Sequence, residues 1–147
     1  MRKINIRKYE KKDLPAILEL IRELALFEKA PEKVTNTVAL MEEETDYFEC
    51  FVAETPDGQI AGMALYYFVY YTWVGKSLYL DDIVVKEIYR GQGIGKRLLE
   101  AVIDTGKNNA CKRIRWQVLH WNEPALEFYK KYGCEFDGEW VNCDILV

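Results

Sequence analysis

The most informative stretch of this sequence is Arg90-Gly91-Gln92-Gly93-Ile94-Gly95. An apolar run typical of a strand, residues 77–85, precedes it, and apolar residues with helical spacing follow it from Ile94 onward. Glycines at a strand-to-helix turn let the backbone approach a ligand closely, and the start of the next helix offers N–H groups and the positive end of its dipole. The stretch therefore predicts a phosphate-binding turn.

Two common phosphate-binding motifs do not fit this turn. The dinucleotide fingerprint G-x-G-x-x-G, counted from Gly91, requires a glycine where Lys96 stands. The P-loop requires a glycine at Arg90 and a serine or threonine at Arg97. What remains is R-x-x-G-x-G, and an ordinary tight turn without a ligand is the alternative that this pattern alone leaves open.

Outward from the turn, hydrophobic periodicity predicts the other elements. A strand at Ile4 and Ile6 leads into a helix that Asp13 caps and that runs to about Phe27. A short second helix is expected from a cap at Asn36 or Thr37. The remaining expectations are strands at 48–54 and 59–71 joined by a turn at 55–58, strands at 77–85 and 112–119, a helix at 123–132 and a last strand region from Gly133. This order predicts an α/β fold, a mixed sheet with helices on both faces, in a single domain spanning residues 1–147.

Composition narrows the classes of protein and partner. The net charge of −4 argues against a nucleic-acid surface. We see no signal peptide after Met1, and the longest apolar stretch, residues 60–74, is too short to span a bilayer. The single histidine and four cysteines without C-x-x-C spacing argue against a metal site. We therefore expect a cytoplasmic protein with reduced thiols and no metal, nucleic-acid or membrane partner.

A second block of sequence lies about thirty residues after the glycine turn. It starts at Trp121-Asn122-Glu123-Pro124, continues through a helix that carries Tyr129, and ends at Gly133. Together, the R-x-x-G-x-G turn and this block resemble the two recurring blocks of the GCN5-related N-acetyltransferase (GNAT) superfamily. The resemblance implies a twisted, mostly antiparallel mixed sheet flanked by helices, with acetyl-CoA as co-substrate.

Three further stretches resemble one branch of that superfamily, the diamine (spermidine/spermine) and thialysine N-acetyltransferases. They are residues 24–29 (LALFEK), 66–76 (YYFVYYTWVGK) and 78–82 (LYLDD). The resemblance runs from about residue 4 to residue 140. It departs from the family at Asp81, where the family usually has glutamate, in a shorter loop after Gly133, and at Val147, where the family continues into a longer C-terminal segment that helps to shape the substrate mouth.

The resemblance implies which residues hold the co-substrate. The expected contacts come from the backbone of one strand, from the glycine turn and from the last helix. The start of that helix is expected to lie along the pantetheine arm of the co-substrate, and its tyrosine is expected near the sulfur. These positions are Ile83, Val84, Val85, Arg90, Gly91, Gln92, Gly93, Ile94, Gly95, Lys96, Asn122, Glu123, Pro124, Ala125 and Tyr129.

The resemblance also implies a homodimer with substrate channels at the subunit interface. The amine acceptor is then expected to meet side chains from the end of the first helix and from two strands. These positions are Phe27, Glu28, Asp81, Arg115, Trp116 and Gln117.

The chemistry of amine acetylation assigns roles to some of these residues. A lysine-like amine with a pKa of about 10.4 is almost fully protonated at neutral pH, so the site must attract the ammonium group and remove its proton. Asp81 or Asp82 can do this, and regular strand alternation places them on opposite faces, so that only one reaches the amine. The family position favours Asp81. A backbone N–H near Ile83 can stabilise the oxyanion if the strand bulges or splays there, and Tyr129 can protonate the departing thiolate.

The function expected from the sequence is therefore an acetyl-CoA-dependent N-acetyltransferase acting on a primary amine of a small cationic molecule. Thialysine-like acceptors are favoured slightly over polyamines such as spermidine and spermine, because residues 27–29 and 72–73 resemble the thialysine branch more. Two alternatives stay open: a protein or peptide N-acetyltransferase, and a non-catalytic acetyl-CoA-binding module.

Overall fold

The computed structural model describes residues 3–147, which form two compact units, the first ending at residue 117 and the second spanning residues 118–147. The first unit is built on a five-stranded sheet. Its elements are β1 (Asn5–Lys8), α1 (Leu14–Phe27), α2 (Val38–Glu43), β2 (Glu49–Glu54), β3 (Ile60–Tyr71), β4 (Gly75–Val85), α3 (Ile94–Asn108) and β5 (Ile114–Arg115). The second unit holds one helix, α4 (Glu123–Lys130).

The sheet has the strand order β1-β2-β3-β4-β5. The first four strands pair antiparallel in sequence order, and β5 pairs parallel with β4. The β2–β3 hairpin closes through the predicted turn, where the Gly58 N–H donates to the Thr55 carbonyl over 2.9 Å and Gly58 adopts a φ of 84°. The structure confirms the mixed, mostly antiparallel sheet.

Helices cover both faces of this sheet. On one face, α1 buries Leu14, Ile17 and Leu18 against Met63 and Leu65 of β3. On the other face, α3 buries Leu98, Leu99 and Val102. A side chain at Gly106 of α3 would lie within 4 Å of Leu78 and Ile114, so this helix packs closely over β4 and β5.

The end of α1 nearest β1 is held by an ion cluster. Asp13 precedes α1, as predicted, but its carboxylate does not cap the helix. Instead it accepts hydrogen bonds from Arg7 at 2.8 Å and from the Glu10 N–H at 2.7 Å, and Arg7 also pairs with Glu54 at 3.2 Å. The predicted cap of α2 is confirmed, because Thr37 Oγ1 accepts the Leu40 N–H over 3.1 Å.

Two predicted strands differ in the structure. The strand expected at 112–119 is reduced to β5, because its pairing with β4 consists of Leu78↔Ile114 and Tyr79↔Arg115 and stops two residues before an irregularity in β4. The strand expected from Gly133 is wrong: residues 134–147 form neither helix nor strand, and most of them are exposed. With few buried apolar side chains and no pairing partner in the second unit, this segment lacks what stabilises a strand.

The β3–β4 pair requires a glycine at position 62. A Cβ there would lie 2.8 Å from the Val84 carbonyl oxygen and 3.3 Å from Val85 Cα, both of which are backbone atoms. Backbone cannot rotate away as a side-chain end can, so any larger residue must displace β4.

We expect Gly62→Ala to lower the free energy of unfolding by about 1–3 kcal/mol, the usual effect of overpacking. Thermal or urea unfolding measures the change. Gly138→Ala is the matched control, because a Cβ at Gly138 meets nothing within 4 Å and the backbone there needs no positive φ. Equal stability of the two variants would contradict the close approach of β3 and β4.

Candidate active site

The glycine turn lies between β4 and α3. Gly91 and Gly93 have φ values of 81° and 78°, and a Cβ at either position would meet no atom within 4 Å. Their conformation favours glycine, and the space in front of them is open. The turn is tied to the strand end, because Arg90 Nε donates to the Val85 carbonyl over 3.1 Å. The N–H groups of the first turn of α3 have no acceptor within the helix. An anionic group fits this open, N–H-lined position.

The edge of β4 beyond Tyr79 is open toward β5. In the described part of the chain, β5 pairs with β4 only at Leu78 and Tyr79. Lys86 N–H donates to the Ala61 carbonyl in β3 over 2.8 Å. Because polar groups of successive strand residues alternate between the two edges, those of Ile83 and Val85 point away from β3, toward the open edge. The contact between Arg90 and the Val85 carbonyl lies on that side and agrees with this direction.

A β-bulge in β4 brings two acids together. Leu65 pairs with Asp82 and Tyr66 pairs with Leu80, so Asp81 is the extra residue of the bulge and has no register partner on β3. Asp82 shares the face of Leu65, which packs on α1. Asp81 accepts a 3.4 Å hydrogen bond from the hydroxyl of Tyr67, whose register partner, Tyr79, lies on this same face. The expectation that the two aspartates face opposite sides is therefore wrong, because a bulge interrupts the alternation.

Glu28, at the end of α1, completes an acidic cluster with Asp81 and Asp82. The pKa of Asp82 is raised to about 7, first by burial and then by the charges of Asp81 and Glu28. Burial also raises the pKa of Glu28. Asp81 is open to solvent on one side, yet desolvation still raises its pKa against the lowering effect of the Tyr67 hydrogen bond. This cluster favours a cation, because positive charge relieves both the desolvation and the mutual repulsion.

Aromatic and cationic side chains continue the site along the same face. The rings of Tyr67 and Tyr79 stack with centroids 5.6 Å apart. Burial, followed by the charge of Asp81, raises the pKa of both phenols, so both stay protonated at neutral pH. Beside them, the guanidinium groups of Arg115 and Arg113 lie 4.9 and 5.2 Å from the ring centroid of Tyr71.

The structure therefore brings together three of the expected substrate-side residues, Glu28, Asp81 and Arg115, on one face. Phe27 ends α1 with 47% of its surface exposed. Trp116 and Gln117 follow β5 directly along the chain.

Sequence reasoning missed Tyr67 and Tyr79, and it treated Asp82 as an alternative to Asp81 rather than as its neighbour. The alternating aromatic run was a usable signal for the tyrosines. The bulge carries no signal in the residues around it.

The expected residues of the second unit are described within that unit. Asn122 caps α4, because its Oδ1 accepts the Ala125 N–H over 3.3 Å, and Pro124 lies in the first turn, where its missing N–H costs nothing. Tyr129 is 7% exposed, and its ring meets Phe128 edge-on at 5.5 Å. The short helix therefore holds Tyr129 in a defined orientation.

Residues 3–147 contain no group of three His, Cys, Asp or Glu side chains that could hold a metal ion. No helix in this part of the chain has the length and apolar character needed to cross a membrane.

Comparison with known proteins gives consistent relatives. A thialysine N-epsilon-acetyltransferase of Bos taurus is 40% identical over 143 residues, covering 90% of this chain and 84% of the relative. Spermidine/spermine N(1)-acetyltransferase-like protein 1 of Homo sapiens is 35% identical, covering 87% of this chain and 20% of the relative. Among solved structures, an aminoglycoside acetyltransferase from a soil metagenome, in complex with trehalose, superposes with a TM-score of 0.78 at 20% identity, covering 98% of this chain and 96% of that one. The structure of a transcriptional regulator from Bacillus halodurans C-125 superposes with a TM-score of 0.79 at 21% identity, covering 97% of this chain and 99% of that one.

The profile of the acetyltransferase (GNAT) family matches residues 14–134, which include β2 to β5 of the sheet, the glycine turn and α4. The two solved structures share this fold at low identity, and the curated relatives are N-acetyltransferases at 35–40% identity. This chain therefore belongs to the acetyltransferase (GNAT) family and is an N-acetyltransferase, in a family whose co-substrate is acetyl-CoA.

Proposed function

We propose that this enzyme acetylates a primary amine on a small cationic acceptor. The observation that carries the proposal is the cluster of Glu28, Asp81 and Asp82, three carboxylates with raised pKa values on one face of the sheet. Such a cluster, beside the open edge of β4, suits an ammonium group that must be drawn in and deprotonated before it can react.

The relatives support a lysine-like acceptor over a polyamine. Proteins named thialysine N-epsilon-acetyltransferase from Bos taurus and Mus musculus are 40% and 38% identical to this chain. A spermine/spermidine N(1)-acetyltransferase of Bacillus subtilis is 33% identical over 56% of it. We therefore place thialysine- or lysine-like amines first and polyamines second.

We assign co-substrate binding to the glycine turn, residues 90–96, and to the backbone of residues 83–85. The positive φ values of Gly91 and Gly93, the open space before them and the start of α3 fit a pyrophosphate. The open-edge polar groups of Ile83 and Val85 fit an amide-containing arm. Asn122, Glu123, Pro124, Ala125 and Tyr129 are proposed to line the arm farther along, as the family resemblance implies. Bound acetyl-CoA supplies a thioester whose acetyl group the amine accepts.

The roles of the chain's own groups follow from their charges. Asp81 attracts the ammonium group and holds it next to the open edge, with Tyr67 fixing the carboxylate by its hydrogen bond. Asp82, with a pKa of about 7, is better matched than an ordinary aspartate to accept the amine proton near neutral pH. The Ile83 N–H donates toward developing negative charge at the open edge. Tyr129 donates its phenolic proton to the leaving thiolate.

Three further properties belong to the same proposal. The two compact units make one acetyltransferase domain, which the family match across residues 14–134 supports. The protein is a homodimer, supported by the resemblance and by the exposed aromatic side chains of Tyr70 and Trp73; a monomer mass by light scattering would count against it. It works in the cytoplasm, in keeping with four free cysteines.

A thiol-release assay against a panel of acceptors tests the function. We expect turnover with thialysine, lysine or ornithine, less with spermidine, spermine and putrescine, and none with peptides that lack a free amine. Acetylation of a peptide panel with no turnover of small amines would replace the small acceptor by a protein acceptor.

We expect Gly93→Asp to weaken acetyl-CoA binding more than tenfold by calorimetry. The new side chain places a negative charge where the pyrophosphate is proposed to lie, at a φ that disfavours residues other than glycine. Gly58→Asp is a matched control, because Gly58 has a φ of 84° and equally open surroundings in the β2–β3 turn. Equal affinities of the two variants would remove the turn from the binding site.

We expect Asp81→Asn to lower kcat/KM for the preferred amine at pH 7, and the loss to shrink as pH rises and the free amine becomes neutral. Tyr129→Phe should lower kcat while both substrate affinities stay near wild type. Steady-state kinetics from pH 6.5 to 9.5 measures both effects. Full turnover by both variants with every accepted amine would refute these site assignments.

We expect Asp82 to titrate near pH 7 in carbon-detected NMR of labelled aspartate carboxyls. Glu28→Gln should move this midpoint to lower pH, because the lost negative charge no longer opposes ionisation of Asp82. Glu100→Gln, on α3 at the other face of the sheet, should leave it unchanged. A midpoint near 4 in the wild type would contradict the desolvated cluster.

A further inference from the structure

Two arginines lie on one aromatic ring at the far side of the acidic cluster. The guanidinium carbons of Arg115 and Arg113 are 4.9 and 5.2 Å from the ring centroid of Tyr71. Both side chains are partly buried. Within residues 3–147, the salt bridges involve neither of them. Two like charges on one ring repel each other, and an anion placed between them relieves that repulsion.

The position of Arg115 relative to the acids is set by the sheet. Arg115 is the register partner of Tyr79, the ring of Tyr79 stacks on Tyr67, and the Tyr67 hydroxyl donates to Asp81. The pKa of Tyr79 responds to both the acid and the arginine, because the charge of Asp81 raises it and the charge of Arg115 lowers it. The face thus has a negative end and a positive end with stacked aromatic rings between them.

We propose that Arg115 binds the carboxylate of a zwitterionic acceptor whose reacting ammonium group enters the cluster of Asp81, Asp82 and Glu28. This inference rests on the proposed acetylation of small amines and narrows it to amino acids with a side-chain amine. The guanidinium group of Arg115 lies over the ring of Tyr71, and its planar N–H donors can hold a carboxylate with two parallel hydrogen bonds.

The same geometry disfavours polyamines. A diamine that placed one ammonium group among the acids would direct its second positive charge toward Arg115 and Arg113. An amino acid of similar length instead presents a carboxylate there. Arg115 is therefore a specificity-determining residue, acting by attraction of one acceptor class and repulsion of the other.

Matched acceptor pairs test the proposal. L-lysine and cadaverine differ by the carboxylate, as do L-ornithine and putrescine. The measured quantity is the ratio of kcat/KM for the amino acid to kcat/KM for its decarboxylated partner. We expect a ratio above one in the wild type and a fall of about tenfold or more in Arg115→Gln, the usual scale for a lost hydrogen bond between charged groups. Arg115→Lys, which keeps the charge but not the planar donors, should lie between them. Lys107→Gln, an exposed charge at the end of α3, is the control and should keep the wild-type ratio.

Each outcome decides one question. A fall in the ratio confined to the Arg115 variants supports carboxylate recognition. An unchanged ratio in a folded Arg115→Gln protein, or a wild type that prefers the diamines, overturns this inference and leaves amine acetylation standing. A wild type that turns over neither member of either pair, nor any other small amine, overturns the proposed function and this inference with it. Thermal unfolding of each variant verifies folding, and Arg115→Lys provides the ratio if Arg115→Gln does not fold.

Discussion

The insertion of Asp81 between Leu80 and Asp82 is the constraint on which the site depends. In a regular strand, Asp81 and Asp82 would point to opposite faces of the sheet, so only one of them could lie on the α1 face. With the bulge, Leu80 is paired with Tyr66 on the other face, and Asp81 and Asp82 both lie on the α1 face. The bulge also lies two residues beyond the point where pairing with β5 ends. One extra residue thus gathers the acids at the place where the polar groups of Ile83 and Val85 face an open edge.

The acids beside β1 and the acids at the bulge contribute to folding stability with opposite sign at neutral pH. Beside β1, burial raises the pKa of Asp13, but the hydrogen bonds from Arg7 and from the Glu10 N–H outweigh it and lower that pKa. The hydrogen bond from Arg7 also lowers the pKa of Glu54. These carboxylates therefore stabilise the fold at neutral pH and lose that effect as pH falls. The pKa of Asp82 is raised, so the folded state binds its proton more tightly than the unfolded state does. Its ionisation therefore opposes folding as pH rises from the ordinary carboxyl range toward 7. The protein tolerates this unfavourable charge in the same place where a cation is proposed to bind.

Much of the fold could be predicted because it is encoded in periodicity and turn chemistry. The spacing of Leu14, Ile17 and Leu18 predicted α1, and the glycines at 91 and 93 predicted a tight turn before α3. The extent of β5 could not be predicted, since residues 112–119 are strand-like in composition, and whether a strand pairs depends on the course of its neighbour. The same limit applies to the site. Glu28 and Asp81 were identified through a family resemblance, but the cooperation of Asp82 depends on a register change to which no local residue type points. Trp116, Gln117 and the residues of α4 remain predictions.

The raised pKa of Asp82 has a consequence for the heat of ligand binding. With a pKa of about 7, this carboxyl is partly protonated at neutral pH. A cation entering the cluster favours the ionised form, so part of a proton must leave the protein for each cation bound. The buffer takes up that proton, and the enthalpy observed by calorimetry then includes the ionisation heat of the buffer. The intrinsic enthalpy of binding at this site is therefore obtained only by extrapolation over buffers of different ionisation heat, and the slope of that extrapolation counts the protons released.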